Sequence, residues 1–302
     1  MTTSALDRAQ GILYGQFIGD SLGSLVEFRT SEEIAQAYPE GVRELAAGGP
    51  FDLAAGQPTD DSELAVTLAR SIVRAGGYEG ADVVPAYERW AESDPVYIGP
   101  DSSMALVHGS PDAGSQENGA LMRVSPLAVA FRPAEAAEHA RYDAEVTHPN
   151  PLTVEVNAVY AGALSAVLEH GLDAQGALDQ LISRATGELR EFIDRSRTHL
   201  PGDFLLQMGS VNKAVAALVW ELEHGTEFEE SLVRVIGRGG DTDTNAAIAG
   251  AFLGGVYGVE GIPQRWRTVI DRVRPAGRPE EYWPGDVEAL AQQLLDVRSS
   301  TS

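Results

Sequence analysis

Two aspartates lie two positions apart in the segment GRGGDTDTNAAIAGAFLGGVYG, in front of a run of small and apolar residues. On a continuous helix, Asp241 and Asp243 would point about 200° apart around the axis and could not bind one ligand together. The glycines before them permit a tight turn, so the pattern predicts that Asp241, Asp243 and Thr244 lie at a helix N-terminus. Oxygen ligands placed there either cap the helix or bind a hard cation.

A second carboxylate cluster starts another helical pattern, in the segment PTDDSELAVTLARS. Thr59, Asp60 and Asp61 stand directly before its amphipathic part. Capping requires only one such residue, and adjacent carboxylates repel each other unless a cation or several N–H groups compensate them. Both clusters offer only oxygen ligands, which suit Mg²⁺ or Mn²⁺ and sometimes Ca²⁺, but not zinc. Together the two clusters favour a cation site over capping alone.

A third acidic element follows a row of glycines near the amino terminus, in GILYGQFIGDSLGSLVEF. Glycine recurs every fourth residue from Gly11 to Gly23, which forms one ridge on a helix and lets a second helix approach closely. Glu27 is the next position on this row. Packing alone explains the ridge, and from this segment alone Asp20 and Glu27 read as solvated or capping residues.

Helical patterns continue along most of the chain, whereas strand-like alternation is scarce. Apolar residues recur at helical spacing in 62–74, in 152–172 and in 204–225. Thr226 and Glu229 have the spacing of a capping box, which predicts the start of a further helix. The elements that must position the two carboxylate clusters are therefore helices.

Three stretches rich in Pro, Gly, Asn, Asp and Ser interrupt this pattern, around 39–60, 94–120 and 142–152. They are predicted to be irregular loops, where polar side chains that carry chemistry most often collect. No internal repeat or linker divides the chain. The sequence predicts an all-α protein, with a single domain over 1–298 and a disordered tail at 299–302.

Composition excludes several classes of function. The chain has 45 acidic and 22 basic side chains, a formal charge of −23, which disfavours general nucleic-acid binding. It has no cysteine, which excludes disulfides, thiolate nucleophiles and cysteine-bound metals. The amino terminus lacks a signal-peptide pattern, and no run of about eighteen apolar residues indicates a membrane span. We expect a cytoplasmic protein that does not bind membranes.

Five motifs, in this order and at these distances, resemble the ADP-ribosylglycohydrolase family. They are GQFIGDSLGSLVEF, PTDDSELAVTLARS, ENGALMR with a following proline, THPNP and the GDTDT segment. The resemblance covers roughly residues 8–260, and the two aspartate motifs are specific only jointly. It implies a single compact orthogonal helical bundle that holds two divalent cations, Mg²⁺ or Mn²⁺, in a cleft. It also implies that the substrate is an ADP-ribosylated protein or small molecule.

The resemblance assigns roles residue by residue. The implied metal ligands are Thr59, Asp60, Asp61, Asp241, Asp243 and Thr244. Glu27 matches the family's glutamate beside the metals, and it, Asp60 or Asp61 is expected to accept the proton of the attacking water. Asn118, Gly119 and His148 match loops that line the ADP-ribose site.

Several residues keep a second interpretation. Backbone N–H groups of Gly119, Gly239 and Gly240 can bind a pyrophosphate without net charge. Arg123 is the nearest cation in the sequence, although pairing with a structural carboxylate explains it equally well. His148 reads equally as a turn residue, and three aromatic residues read as adenine contacts or as core: Tyr97, Phe131 and Tyr257.

Two departures from the family pattern affect what can be predicted. Ser62 stands where relatives have a second threonine, and it retains a hydroxyl. Glu117 precedes Asn118 where many relatives have glycine, and its carboxylate could meet a cationic leaving group such as guanidinium or face solvent. Arginine N-linkage is the first expectation for the bond that is cleaved, with serine-linked, nucleobase-linked or small-molecule ADP-ribosyl compounds as alternatives.

Two other classes of function stay open at this point. A protein with this fold could bind ADP-ribose without turning it over. A glycosyltransferase with a D-x-D motif or a phosphohydrolase would also use paired aspartates, but a nucleotide-sugar transferase would show strands alternating with helices. Secondary structure therefore distinguishes the second class from the first.

Overall fold

The computed structural model describes residues 4–300, and its regular structure is helical. The α-helices are α1 (Ala5–Gly23), α2 (Ser31–Ala37), α3 (Asp60–Ala75), α4 (Gly80–Ala91), α5 (Pro100–Leu106), α6 (Ser125–Ala130), α7 (Pro133–Thr147), α8 (Pro151–His170), α9 (Ala174–Arg184), α10 (Gly187–Ser196), α11 (Val211–His224), α12 (Phe228–Ile236), α13 (Thr242–Tyr257), α14 (Gln264–Arg272) and α15 (Val287–Ser300). Short 3₁₀ helices cover Leu121–Arg123, Val259–Gly261 and Glu280–Tyr282. Within residues 4–300, extended backbone pairs only at isolated bridges, so the all-α prediction is confirmed.

Helices α1 and α13 pack with their backbones in direct contact. A Cβ atom added to Gly15 would lie 2.0 Å from the carbonyl oxygen of Gly250, and one added to Gly11 would lie 2.2 Å from that of Gly254. Gly23, at the other end of α1, faces Thr242. The contacts run in opposite order along the two helices, so the end of α1 lies beside the start of α13. The predicted glycine row therefore brings Asp20 and the residues after α1 to the Asp241 cluster.

Substituting a glycine of this row should destabilise the protein. Gly15→Ala is expected to lower the free energy of unfolding by about 1–3 kcal/mol, because the new methyl group forces α1 and α13 apart. Gly80→Ala is the control, since Gly80 is also helical and a Cβ there meets nothing within 4 Å. Denaturant unfolding measures both variants. Equal stability of the two would show that the helices can separate without cost.

Many of the other helices pack directly against this pair, among them α3, α6, α8, α11, α12, α14 and α15. One buried apolar cluster extends from Ala9 to Val297. Among the described helices, α8 is long and apolar enough to cross a membrane, but 83% of its apolar window is buried inside the protein. Burial of this extent is what a core helix shows. The single domain predicted over 1–298 stays a prediction.

The capping box predicted at Thr226 and Glu229 is wrong. Helix α12 begins at Phe228, two residues after Thr226, and Glu227 occupies its N-cap position without a side-chain capping bond. Phe228 is 1% exposed. The helix start is therefore set by burial of an aromatic side chain and not by local capping chemistry.

The loop predicted around 142–152 is also too long. Helix α7 continues to Thr147 and α8 begins at Pro151, where the side chain of Asn150 caps α8 by accepting a bond from Leu152 N (3.0 Å). The loop predicted around 94–120 contains α5. Local composition marks the irregular backbone here but overestimates its length.

The disordered tail predicted at 299–302 is wrong for its first two residues. Ser299 and Ser300 complete the last turn of α15, where the Ser299 hydroxyl donates to Leu295 O (2.9 Å). The side chains of Leu294 and Val297 are buried on the core face of the helix, which holds this turn in place. Residues 301 and 302 lie outside the described residues.

Candidate active site

The first carboxylate cluster lies at the start of α3 and is oriented by Asp20 of α1. Thr59 is the N-cap residue, and Asp60 and Asp61 form the first turn. Asp20 is fully buried and accepts bonds from the backbone N–H and hydroxyl groups of both Thr59 and Ser62, at 2.5–3.1 Å. Because Asp20 supplies the capping oxygens from another helix, Asp60 and Asp61 are not needed as caps and face the cleft.

The second cluster lies at the start of α13, as predicted from its sequence. Asp241 occupies the N-cap position and accepts a bond from Asn118 Nδ2 (2.7 Å). Asp243 accepts a bond from the backbone N–H of Thr244 (2.9 Å), and the Thr242 hydroxyl donates to Gly23 O (2.7 Å). The turn is thereby fixed to the end of α1.

Glu27 joins this second cluster from the segment after α1. Carboxylate oxygens of Glu27, Asp241 and Asp243 lie within 4.8 Å of one another, and all three side chains are buried. The next residue, Phe28, has a left-handed backbone (φ 68°) and donates its N–H to Gly240 O (2.9 Å). This bond ties the segment that carries Glu27 to the loop that precedes Asp241.

Gly239 and Gly240 form the loop before Asp241, and their N–H groups are bonded within the protein. Both have positive φ (78° and 77°), and a Cβ on Gly240 would lie 2.2 Å from Phe204 O. The Gly240 N–H donates to Arg29 O (2.9 Å), and the Gly239 N–H donates to Ile236 O (3.2 Å). The prediction that these two glycines hold a pyrophosphate is therefore wrong, because backbone carbonyls already occupy both donors.

Burial raises the pKa values of the clustered carboxyls. It raises the pKa of Glu27 to about 8, with the charge of Asp241 as the next cause. It also raises the pKa of Asp60 to about 8, with the charge of Asp20 as the next cause. Burial is likewise the largest cause of the raised pKa values of Asp61, Asp241 and Asp243. Without a compensating cation, the cluster therefore retains protons near neutral pH.

The donor set fits a hard divalent cation. Asp61 Oδ1 and Glu27 Oε2 are buried without a hydrogen-bond partner among the described residues. The Thr59 hydroxyl has one hydrogen, yet two carboxylate oxygens lie within bonding distance, Asp20 Oδ1 at 2.9 Å and Asp61 Oδ2 at 2.8 Å. Acceptors thus exceed donors, and they are all oxygens. A divalent cation with oxygen ligands would relieve both the repulsion and the excess of acceptors.

Both clusters open into one cleft of about 600 Å³. Its lining includes predicted site residues from widely separated parts of the chain: Glu27, Asp60, Asp61, Asn118, Gly119, His148, Asp241, Asp243 and Thr244. The turn at 205–210 closes one side. Thr59 is absent from this lining and lies behind Asp61, to which its hydroxyl bonds. The structure therefore brings together residues that are more than 200 positions apart in the chain.

His148 and Gly119 form a close contact at the wall of the cleft. A Cβ on Gly119 would lie 2.8 Å from His148 Cε1, so a larger residue does not fit there. His148 is 1% exposed, and its Nδ1 atom bonds with the Thr147 hydroxyl (2.8 Å). Burial, then the charge of Arg123, lowers the pKa of His148 to about 3, so the imidazole is neutral.

Arg123 supports the wall from behind and does not reach the cleft. Its side chain is 0% exposed and pairs with Asp143 (2.9 Å), while its other N–H groups donate to Thr147 Oγ1 and Gly119 O. The guanidinium also lies over the ring of Tyr87, 4.6 Å from its centroid. The prediction that Arg123 binds substrate is wrong, because a structural carboxylate and its neighbours use the whole guanidinium.

An acidic pair lies on the lining of the cleft, and the sequence pointed to only one of its members, Glu117. Asp101 and Glu117 both line it, and burial, then the charge of Asp101, raises the pKa of Glu117. Asp101 Oδ2 is buried without a hydrogen-bond partner in the described part of the chain. It lies 3.9 Å from His148 Nε2. The segment around Asp101 has no motif, so only the fold reveals its position.

The three aromatic residues weighed as adenine contacts separate in the structure. Tyr97 lines the cleft and packs against Phe51, with ring centroids 5.3 Å apart. Phe131 is buried in the core, at 2% exposure. Tyr257 is half-buried at the end of α13 and does not line the cleft. Only Tyr97 is placed to contact a bound ligand.

The described residues form an all-helical protein whose cleft holds buried carboxylates and threonines at two helix starts, a donor set that suits a hard cation. Sequence comparison identifies its family. The profile of the ADP-ribosylglycohydrolase family matches residues 1–302, and the chain belongs to this family. Members of the family generally depend on divalent metal.

Relatives agree with this assignment. The chain is 30% identical to the ADP-ribosyl-[dinitrogen reductase] glycohydrolase of Rhodospirillum rubrum, over 89% of this chain and 92% of the relative. It is 28% identical to the ADP-ribosylarginine hydrolase Tri1 of Pseudomonas putida, over 97% and 79%. It is 24% identical to the human ADP-ribosylhydrolase ARH3, over 87% and 89%. A solved structure, an ADP-ribosylglycohydrolase-related protein complex, matches with a TM-score of 0.82 at 28% identity, covering 97% of this chain and 99% of that one.

The protein is therefore a glycosidic hydrolase of the class that cleaves ADP-ribose linkages. The family acts on ADP-ribosylated proteins or small molecules. The helical fold also removes the nucleotide-sugar transferase alternative, which requires strands between helices.

Proposed function

We propose that this protein is a binuclear-metal-dependent hydrolase that cleaves the bond between ADP-ribose and an arginine side chain of a modified protein. The observation that carries this proposal is the convergence of two separate carboxylate clusters and Glu27 on one cleft. Capping does not explain the convergence, because Asp20 caps the first cluster.

The carboxylates Asp60, Asp61, Asp241 and Asp243, with Thr59 and Thr244, would hold two divalent cations, Mg²⁺ or Mn²⁺. When bound, such ions coordinate vicinal hydroxyls and lower the pKa of water. The two-ion stoichiometry rests on the resemblance to the family and on the presence of two ligand clusters. As a ligand, Thr59 would bind the ion through a lone pair of its hydroxyl oxygen, while its O–H group donates to Asp20.

The chain's own residues explain how the bond would break. Cleavage at the anomeric carbon of the ribose develops positive charge on that carbon and on the ring oxygen. Carboxylates fixed in a buried cleft stabilise this charge more in the transition state than in the ground state. Glu27, Asp60 and Asp61 all line the cleft, and one of them would accept the proton of the attacking water. Asn118 orients Asp241, and the missing side chain of Gly119 lets His148 pack directly against the wall of the cleft.

The acidic pair on the cleft lining supports arginine as the acceptor. Asp101 and Glu117 place two carboxylates on the lining, and a guanidinium is a cation that two carboxylates bind well. A serine-linked acceptor is neutral and would gain nothing from this pair. Two of the relatives are a glycohydrolase of ADP-ribosyl-[dinitrogen reductase] and an ADP-ribosylarginine hydrolase, which favours the same choice. A cytoplasmic location stays a prediction from the sequence.

Release of free ADP-ribose from defined substrates tests this proposal. Arginine-linked, serine-linked and nucleobase-linked ADP-ribose are each incubated with Mg²⁺, with Mn²⁺ and with a chelator. We expect metal-dependent release from the arginine-linked substrate. Release only from the serine-linked or nucleobase-linked substrate would show a hydrolase that acts on a linkage other than arginine. Binding of ADP-ribose without any release would favour a silent binding protein.

A further inference from the structure

The C-terminal part of the chain, which carries no family motif, sends one arginine behind the first carboxylate cluster. Arg278 is 6% exposed and pairs with Glu63, which is 2% exposed. Two parallel bonds join them, Nε to Oε1 at 2.9 Å and Nη2 to Oε2 at 2.6 Å. Trp90 Nε1 also donates to Glu63 Oε2 (2.7 Å). The Glu63 carboxylate is therefore held by donors from two other segments.

The same guanidinium holds the segment that leads into the cleft. Arg278 Nη1 donates to the carbonyl oxygens of Ser93 (2.7 Å) and Asp94 (3.0 Å). Asp94 has a left-handed backbone (φ 57°), which for a non-glycine residue persists only where its surroundings fix it. The chain then runs through Tyr97, which lines the cleft, to Gly99, whose N–H donates to Asp60 Oδ2 (3.3 Å).

Arg278 thus reaches Asp60 by two routes. Glu63 lies in the first turn of α3, three residues after Asp60, so holding Glu63 holds the start of that helix. Ser93 and Asp94 begin the segment whose Gly99 bonds to the Asp60 carboxylate. Arg278 and Glu63 themselves do not line the cleft.

We propose that Arg278 and Glu63 are a positioning pair that holds Asp60 and Asp61 in the geometry that binds a divalent cation. A buried ion pair adds little net stability over apolar side chains of the same volume, whereas the rigid guanidinium fork fixes the orientation of each group that it bonds. Outer partners that orient metal ligands affect metal affinity in the same way. This inference rests on the metal site of the proposed function.

The protein offers a matched control for the experiment. Arg298 of α15 is 8% exposed and also pairs with a carboxylate, Glu169, while it donates to the carbonyl oxygens of Ala128 and Phe131. None of these four residues lines the cleft. Arg298→Gln therefore removes a comparable set of bonds without touching the Asp60 cluster.

The measurement is the Mn²⁺ dissociation constant of the folded protein by titration calorimetry, together with the thermal midpoint. Arg278→Gln and Glu63→Gln are each expected to weaken Mn²⁺ binding about 10- to 100-fold. Arg298→Gln is expected to lower the thermal midpoint to a similar degree and leave Mn²⁺ affinity unchanged. If Arg278→Gln does not fold, the double variant Arg278→Met with Glu63→Leu removes both charges, and it is expected to fold and bind Mn²⁺ as weakly.

Two results would overturn the inference in different ways. Wild-type Mn²⁺ affinity in the folded Arg278 and Glu63 variants would make the pair purely structural and leave the proposed function intact. Absence of Mn²⁺ binding by the wild-type protein would remove the metal site, and with it both the proposed function and this inference.

Discussion

Asp243→Asn is expected to abolish metal-dependent release of ADP-ribose, lowering kcat/KM by at least about 100-fold. Even outer partners of metal ligands cost about 10- to 100-fold when they are changed, and Asp243 lies in the cleft itself. The amide keeps the size of the side chain but removes its charge and one anionic oxygen. Mn²⁺ affinity should fall together with activity, since both depend on the same carboxylate.

The control for this variant is an aspartate at another helix start. Asp173 is the N-cap residue of α9 and accepts a bond from Gly176 N, outside the cleft. Asparagine caps a helix as well as aspartate does, so Asp173→Asn should keep full activity and stability. Full activity and full Mn²⁺ affinity in Asp243→Asn would contradict the two-cluster site. Retained ADP-ribose binding with lost release would show that the fold alone recognises the ligand.

Local sequence predicted the parts of the site that local chemistry determines. Carboxylates before a helical pattern predicted both helix starts, and α3 and α13 begin at Asp60 and Thr242. The four-residue glycine row predicted a close helix contact, which depends only on the absence of side chains along one ridge. These signals lie within a few residues of the feature that they predict.

Interactions between distant segments left no such signal. Asp20 caps α3 from a position 39 residues before Thr59, so nothing near either residue predicts the bond. The sequence does not reveal that Arg123 pairs with Asp143, because the two residues meet only in the fold. Gly239 and Gly240 were expected to present N–H groups to a ligand, but Ile236 O accepts the first N–H group and Arg29 O, from a distant segment, accepts the second. The order of the motifs indicated the family, whereas only the fold shows which of their residues line the cleft.

The metal-free protein is expected to lose stability as pH rises from about 5 to about 8. Glu27 and Asp60 have folded-state pKa values of about 8, and Asp20 has one of about 6. Unfolded carboxyls titrate near 4, so over this range the folded protein binds more protons than the unfolded chain, and its free energy of unfolding falls as pH rises. Two kinds of group act in the opposite direction. The lowered pKa of Asp82, beside Arg74, matters only below about pH 5. His148, whose pKa is lowered to about 3, adds stability as pH rises to about 6.5, but it is one group against three carboxyls, two of which titrate up to about pH 8.

Thermal unfolding from pH 5 to pH 8, with a chelator and with saturating Mn²⁺, measures this effect. We expect the midpoint of the chelated protein to fall by at least about 5 °C across the range, given roughly 2–4 °C per kcal/mol for a chain of this size. Mn²⁺ should raise the midpoint most at pH 8, because the cation replaces protons that the cluster otherwise retains. In Asp243→Asn the fall with pH should be smaller, since one of the repelling charges is gone. A midpoint that is flat or rises between pH 5 and pH 8 in chelator would mean that the carboxylates are ionised and compensated without a cation, and the argument for the metal site from their repulsion would fail.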